Sequence, residues 1–170
     1  MIISNIIGVA KAYTTRVGKG PFPTELVDEI GEAIRNKGGE FGTTTGRPRR
    51  TGWFDAVIVR HSVRVNGLSS LAINKLDTLG GIGDLKVCVA YKKPDGTVIE
   101  NFPAALEELA DCVPVYETLK ALTMIYLPAA ALTSCPRRAR STSKDLKNSA
   151  TRQASLMVGV GPDREQIIER

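Results

Sequence analysis

Eleven consecutive residues, Gly42-Thr43-Thr44-Thr45-Gly46-Arg47-Pro48-Arg49-Arg50-Thr51-Gly52, combine three guanidiniums, four hydroxyls and three glycines with no acidic residue among them. A run of this kind is suited to anions. Guanidinium forks bind carboxylate or phosphate oxygens in pairs, threonine hydroxyls add directional donors, and glycines let the backbone approach a ligand or turn with positive φ. The motif Asn74-Lys75-Leu76-Asp77 has the residue types of a guanine reader. The Asp77 carboxylate can accept from the ring N–H and the exocyclic amine of guanine, a donor pair that adenine lacks on that edge. The stem of Lys75 can cover the face of the base. A wrong base leaves such acceptors unpaired, so the site would discriminate. A third segment, Gly159-Val160-Gly161-Pro162-Asp163-Arg164, is a tight turn that can flank a base or ribose with backbone N–H groups and a guanidinium, or can simply be a terminal turn.

Other chemistry is missing. No G-x-x-x-x-G-K-[ST] phosphate loop occurs, and neither paired carboxylates for acid/base work nor a His-Asp couple is present. His61, the one histidine, is read as a packing or surface residue on a helix. Cys88, Cys112 and Cys135 are odd in number, widely spaced and without CxxC spacing or histidine partners, which argues against a zinc site or a disulfide framework and for a reducing cytosol. The expectation is a base reader and an anion loop without a complete catalytic site.

The elements that must hold these motifs alternate along the chain. Ile2 to Tyr13 reads as a strand covered on both faces, running into the glycine-punctuated loop Thr14 to Pro21. Thr24 can cap a helix whose apolar stripe, Leu26, Ile30, Ala33 and Ile34, stops at Gly38-Gly39. Thr51 or Gly52 precedes a second helix, with Phe54, Val57, Ile58, His61 and Val65 at helical spacing before the Asn66-Gly67 stop. Ser69 to Leu76 and Leu85 to Lys92 read as strands. The Pro94-Asp95-Gly96 turn then returns Thr97 to Phe102 as a hairpin partner, and Pro103 opens a short helix through Leu109. The reader Asn74 to Asp77 therefore falls at a strand's carboxyl end, where open α/β sheets place ligands. These signals predict an α/β fold, a mixed sheet flanked by helices.

With 170 residues, 42% of them hydrophobic and 24% charged, the chain has the composition of a soluble domain with a real core. The net charge of +5 fits nucleotide ligands without requiring a nucleic-acid surface. With only 5% aromatic residues, an RNA-binding reading ranks last. The apolar opening, Met1 to Ala10, lacks a basic leader and is too short to span a membrane.

Two long stretches and three short ones carry a resemblance: Lys11 to Leu26, Thr44 to Asp55, Lys75 to Asp77, Pro114 to Leu119 and Gly161 to Arg164. Together they resemble the carboxy-terminal two-fifths of adenylosuccinate synthetase. That family joins IMP to L-aspartate, with GTP phosphorylating the 6-oxygen of IMP before aspartate displaces the phosphate. The resemblance implies a fold related to P-loop NTPases, a cytoplasmic homodimer, magnesium held by ligands outside this chain, and no membrane or nucleic-acid partner. It assigns Val17 and the loop residues Thr43, Thr44, Thr45, Gly46, Arg47, Pro48 and Arg49 to aspartate and IMP. Arg47 also falls at the IMP ribose and Arg49 at the GTP phosphates. Lys75, Leu76 and Asp77, with Gly159, Val160 and Gly161, match the guanine site, and Gly159 stands where the family usually has serine. The family's phosphate loop, magnesium contacts and catalytic histidine match nothing here, so no catalytic residue is expected in this chain.

The organisation implied is an aspartate-, IMP- and guanine-binding part over residues 1–119, an irregular segment over 120–157, and a terminal guanine-nucleotide motif over 158–170. Residues 120–157 depart from the family's regular helix and strand, and a shifted reading frame is the expected cause. The alternative to an enzyme part is a noncatalytic guanine-nucleotide-binding or regulatory module.

Overall fold

The structure, a computed structural model, describes residues 3, 5–120 and 155–169. Its first sheet is built around β5 (Ser70–Asn74), whose Leu71 and Ile73 point into the core. β1 (Ile7–Lys11) and β9 (Ser155–Gly159) flank it in parallel, and β10 (Ile167–Glu169) joins β9 antiparallel, giving the order β1-β5-β9-β10. Lys11 stands beside Asn74, and Ile73 beside Val158. The carboxyl ends of three strands thus open on one side of the sheet, the side on which such folds bind ligands.

The strand expected over Ile2 to Tyr13 is shorter and more exposed than its apolar sequence suggests. β1 pairs only with β5 among the described residues, and Val9 is 71% exposed. Burial begins past its end, at Ala12 and Tyr13.

α1 (Glu29–Gly38) starts after Asp28, whose carboxylate accepts from the Gly31 N–H at 3.0 Å, and ends at Gly39 with φ 61°. The expected cap, Thr24, does other work. Its carbonyl accepts from the Trp53 N–H at 3.1 Å, and the Leu26 N–H donates to the Thr51 carbonyl at 2.9 Å, so Thr24 to Leu26 runs extended against the chain. A Cβ on Gly52 would lie 2.3 Å from the Thr24 carbonyl oxygen, which leaves glycine as the residue that permits this approach. Thr51 and Gly52 likewise do not start the second helix. They belong to β3 (Arg50–Gly52), antiparallel to β2 (Thr14–Arg16). α2 (Ala56–Asn66) is capped by Asp55, which accepts from the Val57 and Ile58 N–H groups at 3.0 and 3.1 Å, and it stops at Gly67 with φ 59°.

β4 (Phe54–Asp55) leads into a further sheet, where β6 (Leu85–Lys92) runs parallel to it and antiparallel to β7 (Val98–Ile99) and β8 (Val113–Leu119). α3 (Leu106–Ala110) is shorter than the helix expected from Pro103. Tyr13, Ile34, Trp53, Phe54, Ile73 and Leu76 form one core cluster, and Val57, Cys88, Tyr91, Leu109 and Cys112 a second. Each such large side chain contributes about 1.5 to 3 kcal/mol by leaving water. His61 packs its ring 5.1 Å from that of Phe102. Cys88 and Cys112 are free and buried, and burial pushes both thiols up. Of the segment expected to be irregular, residues 121–154, including Cys135, lie outside the described residues, and Ser155 to Met157 begin β9.

Candidate functional site

The arginine run folds into a hairpin because its backbone pairs across the loop. The Arg49 N–H donates to the Glu40 carbonyl, the Gly42 N–H to the Arg47 carbonyl, both at 2.9 Å, and the Gly46 N–H to the Gly42 carbonyl at 2.8 Å. Gly46 has φ 63°, a conformation that glycine takes at little cost. The turn leaves Thr43, Thr44, Thr45, Gly46, Arg47 and Pro48 exposed at its tip. No described residue bonds the guanidinium of Arg47.

The other two arginines have acidic partners from outside the run, which the loop sequence by itself does not reveal. Arg50 grips Glu25 with two bonds of 2.7 and 2.5 Å and donates to the Gly18 and Gly20 carbonyls at 3.1 and 2.9 Å. It thereby fastens the loop that presents Val17, 78% exposed, to β3. Arg49 donates from Nη1 to Glu40 Oε2 at 2.8 Å.

Glu40 is fully buried and is the centre of a cationic cluster. Its Oε1 accepts from the Tyr13 hydroxyl at 2.7 Å, Lys11 Nζ at 2.8 Å and Lys75 Nζ at 3.3 Å, and its Oε2 accepts from Lys11 at 2.8 Å as well as from Arg49. Burial alone would raise its carboxyl. Hydrogen bonds from Lys11, Tyr13 and Arg49 outweigh that and hold the pKa at about 2. Burial and the adjacent Glu40 carboxylate push the Tyr13 hydroxyl up, so it stays a donor. Sequence reasoning passes over Glu40, although a carboxylate between the Gly38-Gly39 helix stop and a strongly cationic loop is a signal that it has an ion-pair role.

Lys75, in the motif expected to read a base, lies on the same cluster. Lys75 is the one non-glycine residue with positive φ among those described, at 60°. That conformation costs about 1 to 2 kcal/mol, a strain that often accompanies functional sites. Its ammonium also donates to the Gly38 carbonyl at the end of α1, at 2.5 Å. Leu76 is buried, and its N–H donates to the Gly159 carbonyl at 3.3 Å, which joins the reader to the Gly159–Gly161 segment. Asp77 opens a 3-10 turn over Asp77–Leu79, is half-buried, and accepts no side-chain hydrogen bond from a described residue. A Cβ on Gly159 would stand 3.1 Å from Asn74 Oδ1, so a serine there would crowd Asn74. The segment turns back at Gln166, whose carbonyl accepts from the Val160 N–H at 2.9 Å.

Thus Glu40 joins Arg49 to Lys75, and Leu76 bonds Gly159, whereas Arg47 and the threonines project from the loop tip and Val17 from its own loop. A cavity of about 290 Å³ between β1 and α2, lined by Gly8, Ala10, Thr14, Ile58, Ser62 and Leu71, also touches Lys11 and Tyr13 of the Glu40 cluster but none of the residues assigned to a ligand from the sequence. Among the described residues no group of three His, Cys, Asp or Glu side chains could hold a metal, and no helix is long and apolar enough to cross a membrane.

A family model described as adenylosuccinate synthetase matches residues 1–168. The chain is 51% identical over 167 residues to the adenylosuccinate synthetase of Caldanaerobacter subterraneus subsp. tengcongensis, a match covering 98% of this chain and 39% of the relative. It is 54% identical over 164 residues to that of Listeria monocytogenes, covering 96% and 38%. A structure of fully ligated adenylosuccinate synthetase from Plasmodium falciparum superposes with a TM-score of 0.88 at 32% identity, covering 99% of this chain and 40% of that one. The chain therefore spans about two-fifths of the length of the relatives it matches.

Proposed function

The chain belongs to the adenylosuccinate synthetase family, and from that premise we propose that it supplies the aspartate-, IMP- and guanine-reading part of a GTP-dependent carbon-nitrogen ligase. The observation that carries this reading is the single carboxylate, Glu40, that joins Arg49 of the anion loop to Lys75 of the base reader. A ligand with a guanine at one end and anionic oxygens at the other fits this pairing of elements.

In this reading Asp77 accepts the N1 and N2 protons of guanine, the stem of Lys75 lies against the base, and the backbone of Gly159, Val160 and Gly161 closes its edge. Arg49 meets phosphate oxygens with the N–H donors that Glu40 leaves free. Arg47 and the hydroxyls of Thr43, Thr44 and Thr45 neutralise and orient the aspartate carboxylates, leaving the amine as the nucleophile toward C6 of IMP. Arg47 and Val17 border the ribose. The chain binds and aligns but moves no proton, and the phosphoryl transfer itself falls to groups outside it.

Magnesium, which the family implies, does not fit these residues. The anion loop offers cations and hydroxyls and no carboxylate to a divalent ion, and in this reading the ion's ligands lie outside this chain. Residues 1–119 and 158–170 act as the two ligand-binding parts, and a cytoplasmic homodimer belongs to the same proposal.

The test completes the chain with the remaining segments of the Caldanaerobacter relative and follows adenylosuccinate formation from IMP, aspartate, GTP and magnesium, beside the chain alone. Product that requires GTP is expected from the completed enzyme and none from the chain alone. Equal use of ATP, or comparable turnover by the chain alone, would overturn the proposal.

A further inference from the structure

Three stretches of chain converge on Glu40: Lys11 and Tyr13 at the end of β1, Arg49 in the anion loop, and Lys75 after β5. We propose that Glu40 is a positioning residue for the nucleotide, holding the Arg49 guanidinium and the Lys75 ammonium at one fixed spacing so that both ends of a guanine nucleotide meet preoriented cations. The proposal rests on the function proposed above.

A buried carboxylate needs one well-placed counter-ion, and this one has three, plus a phenol. These cations offset the burial of Glu40 and leave net positive charge at the cluster. Arg49 and Lys75 remain 32% and 41% exposed at their side chains, so they sit where the buried carboxylate meets solvent. Arg49 commits one of its N–H groups to Glu40, and the rest of its fork stays available to an anion. Lys75 is held from both sides, by Glu40 and by the carboxyl end of α1, in a backbone conformation that lysine adopts only under constraint. Both lysine contacts fix the ammonium and leave the methylene stem as the part free to touch a ligand. Gly38 makes room for the cluster, since a Cβ there would stand 2.3 Å from the Tyr13 hydroxyl. Preorientation of this kind removes part of the ordering cost of binding.

The experiment is steady-state kinetics on the completed enzyme with Glu40→Gln, which keeps the shape and removes the charge. The KM for GTP is expected to rise about tenfold, as for a misplaced charged hydrogen bond, while the KM for IMP stays within about twofold. Adding Lys75→Met to Glu40→Gln should raise it by less than about twofold more, because the two residues act through one contact. An unchanged KM for GTP, parallel rises for GTP and IMP, or full additivity overturns the proposal. Should Glu40→Gln not fold, Glu40→Asp retains the charge with a reach one methylene shorter, and the same selective rise is expected, with a parallel rise as the contrary result. If the unsubstituted completed enzyme makes no product, the functional reading fails separately. The positioning role is then read from the NMR signal of the Lys75 ammonium, which Glu40→Gln must release into fast exchange. A signal that does not change overturns it.

Discussion

Arg47 and Arg50 share one loop and one side-chain chemistry, yet the structure uses them in opposite ways. Arg50 is locked to Glu25 and to two carbonyls of the neighbouring loop, whereas Arg47 stands exposed at the tip with no described partner. Arg49, between them, is held by one N–H and open at the others. The difference comes from acidic residues elsewhere in the chain. In a cationic run, the arginines met by a carboxylate from another element build the scaffold, and those left unmet are the ones available to a ligand.

Arg47→Leu presses hardest on this division. In the completed enzyme it should lower kcat/KM for aspartate about a hundredfold, close to the 3 kcal/mol of a lost charged and paired contact, and leave the thermal midpoint in place. Unaltered aspartate kinetics would mean that exposure at the tip has been misread.

Acid sharpens the scaffold side. The Glu40 carboxyl lies at about 2 instead of the usual 4.5, so the folded state releases this proton more readily than the unfolded chain does. The stability it contributes is whole above about pH 4.5 and is lost as the pH falls toward 2. Urea unfolding should therefore show an acid loss of about 2 kcal/mol in the parent that is absent in Glu40→Gln. Glu25, lowered by its Arg50 partner, adds to the limb in both proteins. Identical acid limbs would remove Glu40 as their source.

Arg50→Leu is the mild counterpart of Arg47→Leu. It should cost about 1 to 2 kcal/mol of stability, the scale of a partly exposed paired ion contact, with aspartate and GTP kinetics within about twofold of the parent. A large kinetic effect with little loss of stability would move Arg50 from scaffold to site.

The parts of the fold legible in the sequence are those decided locally. Both long helices end where Gly38-Gly39 and Asn66-Gly67 say they should, because a left-handed glycine cap depends only on its neighbours. β6 occupies Leu85–Lys92, the bounds expected of it. The helix starts were not legible, since Thr24 and Thr51 have the right type for caps but are drawn into pairing with distant backbone. The exposure of Val9 also escapes the sequence, because an apolar run looks the same at an edge as at the centre of a sheet. In the candidate site, the two motifs singled out by residue type are the ones the structure brings to one carboxylate. Their junction is not legible in the sequence, because the partners of Glu40 lie up to 35 residues from it.

The central claim is that this site reads guanine through Asp77, and nucleotide titration of the completed enzyme tests it most directly. The account predicts that GDP binds about a hundredfold more tightly than ADP, and that Asp77→Asn weakens GDP by about 1 to 3 kcal/mol while leaving ADP where it was. Equal GDP affinity in the folded variant and its parent would contradict it.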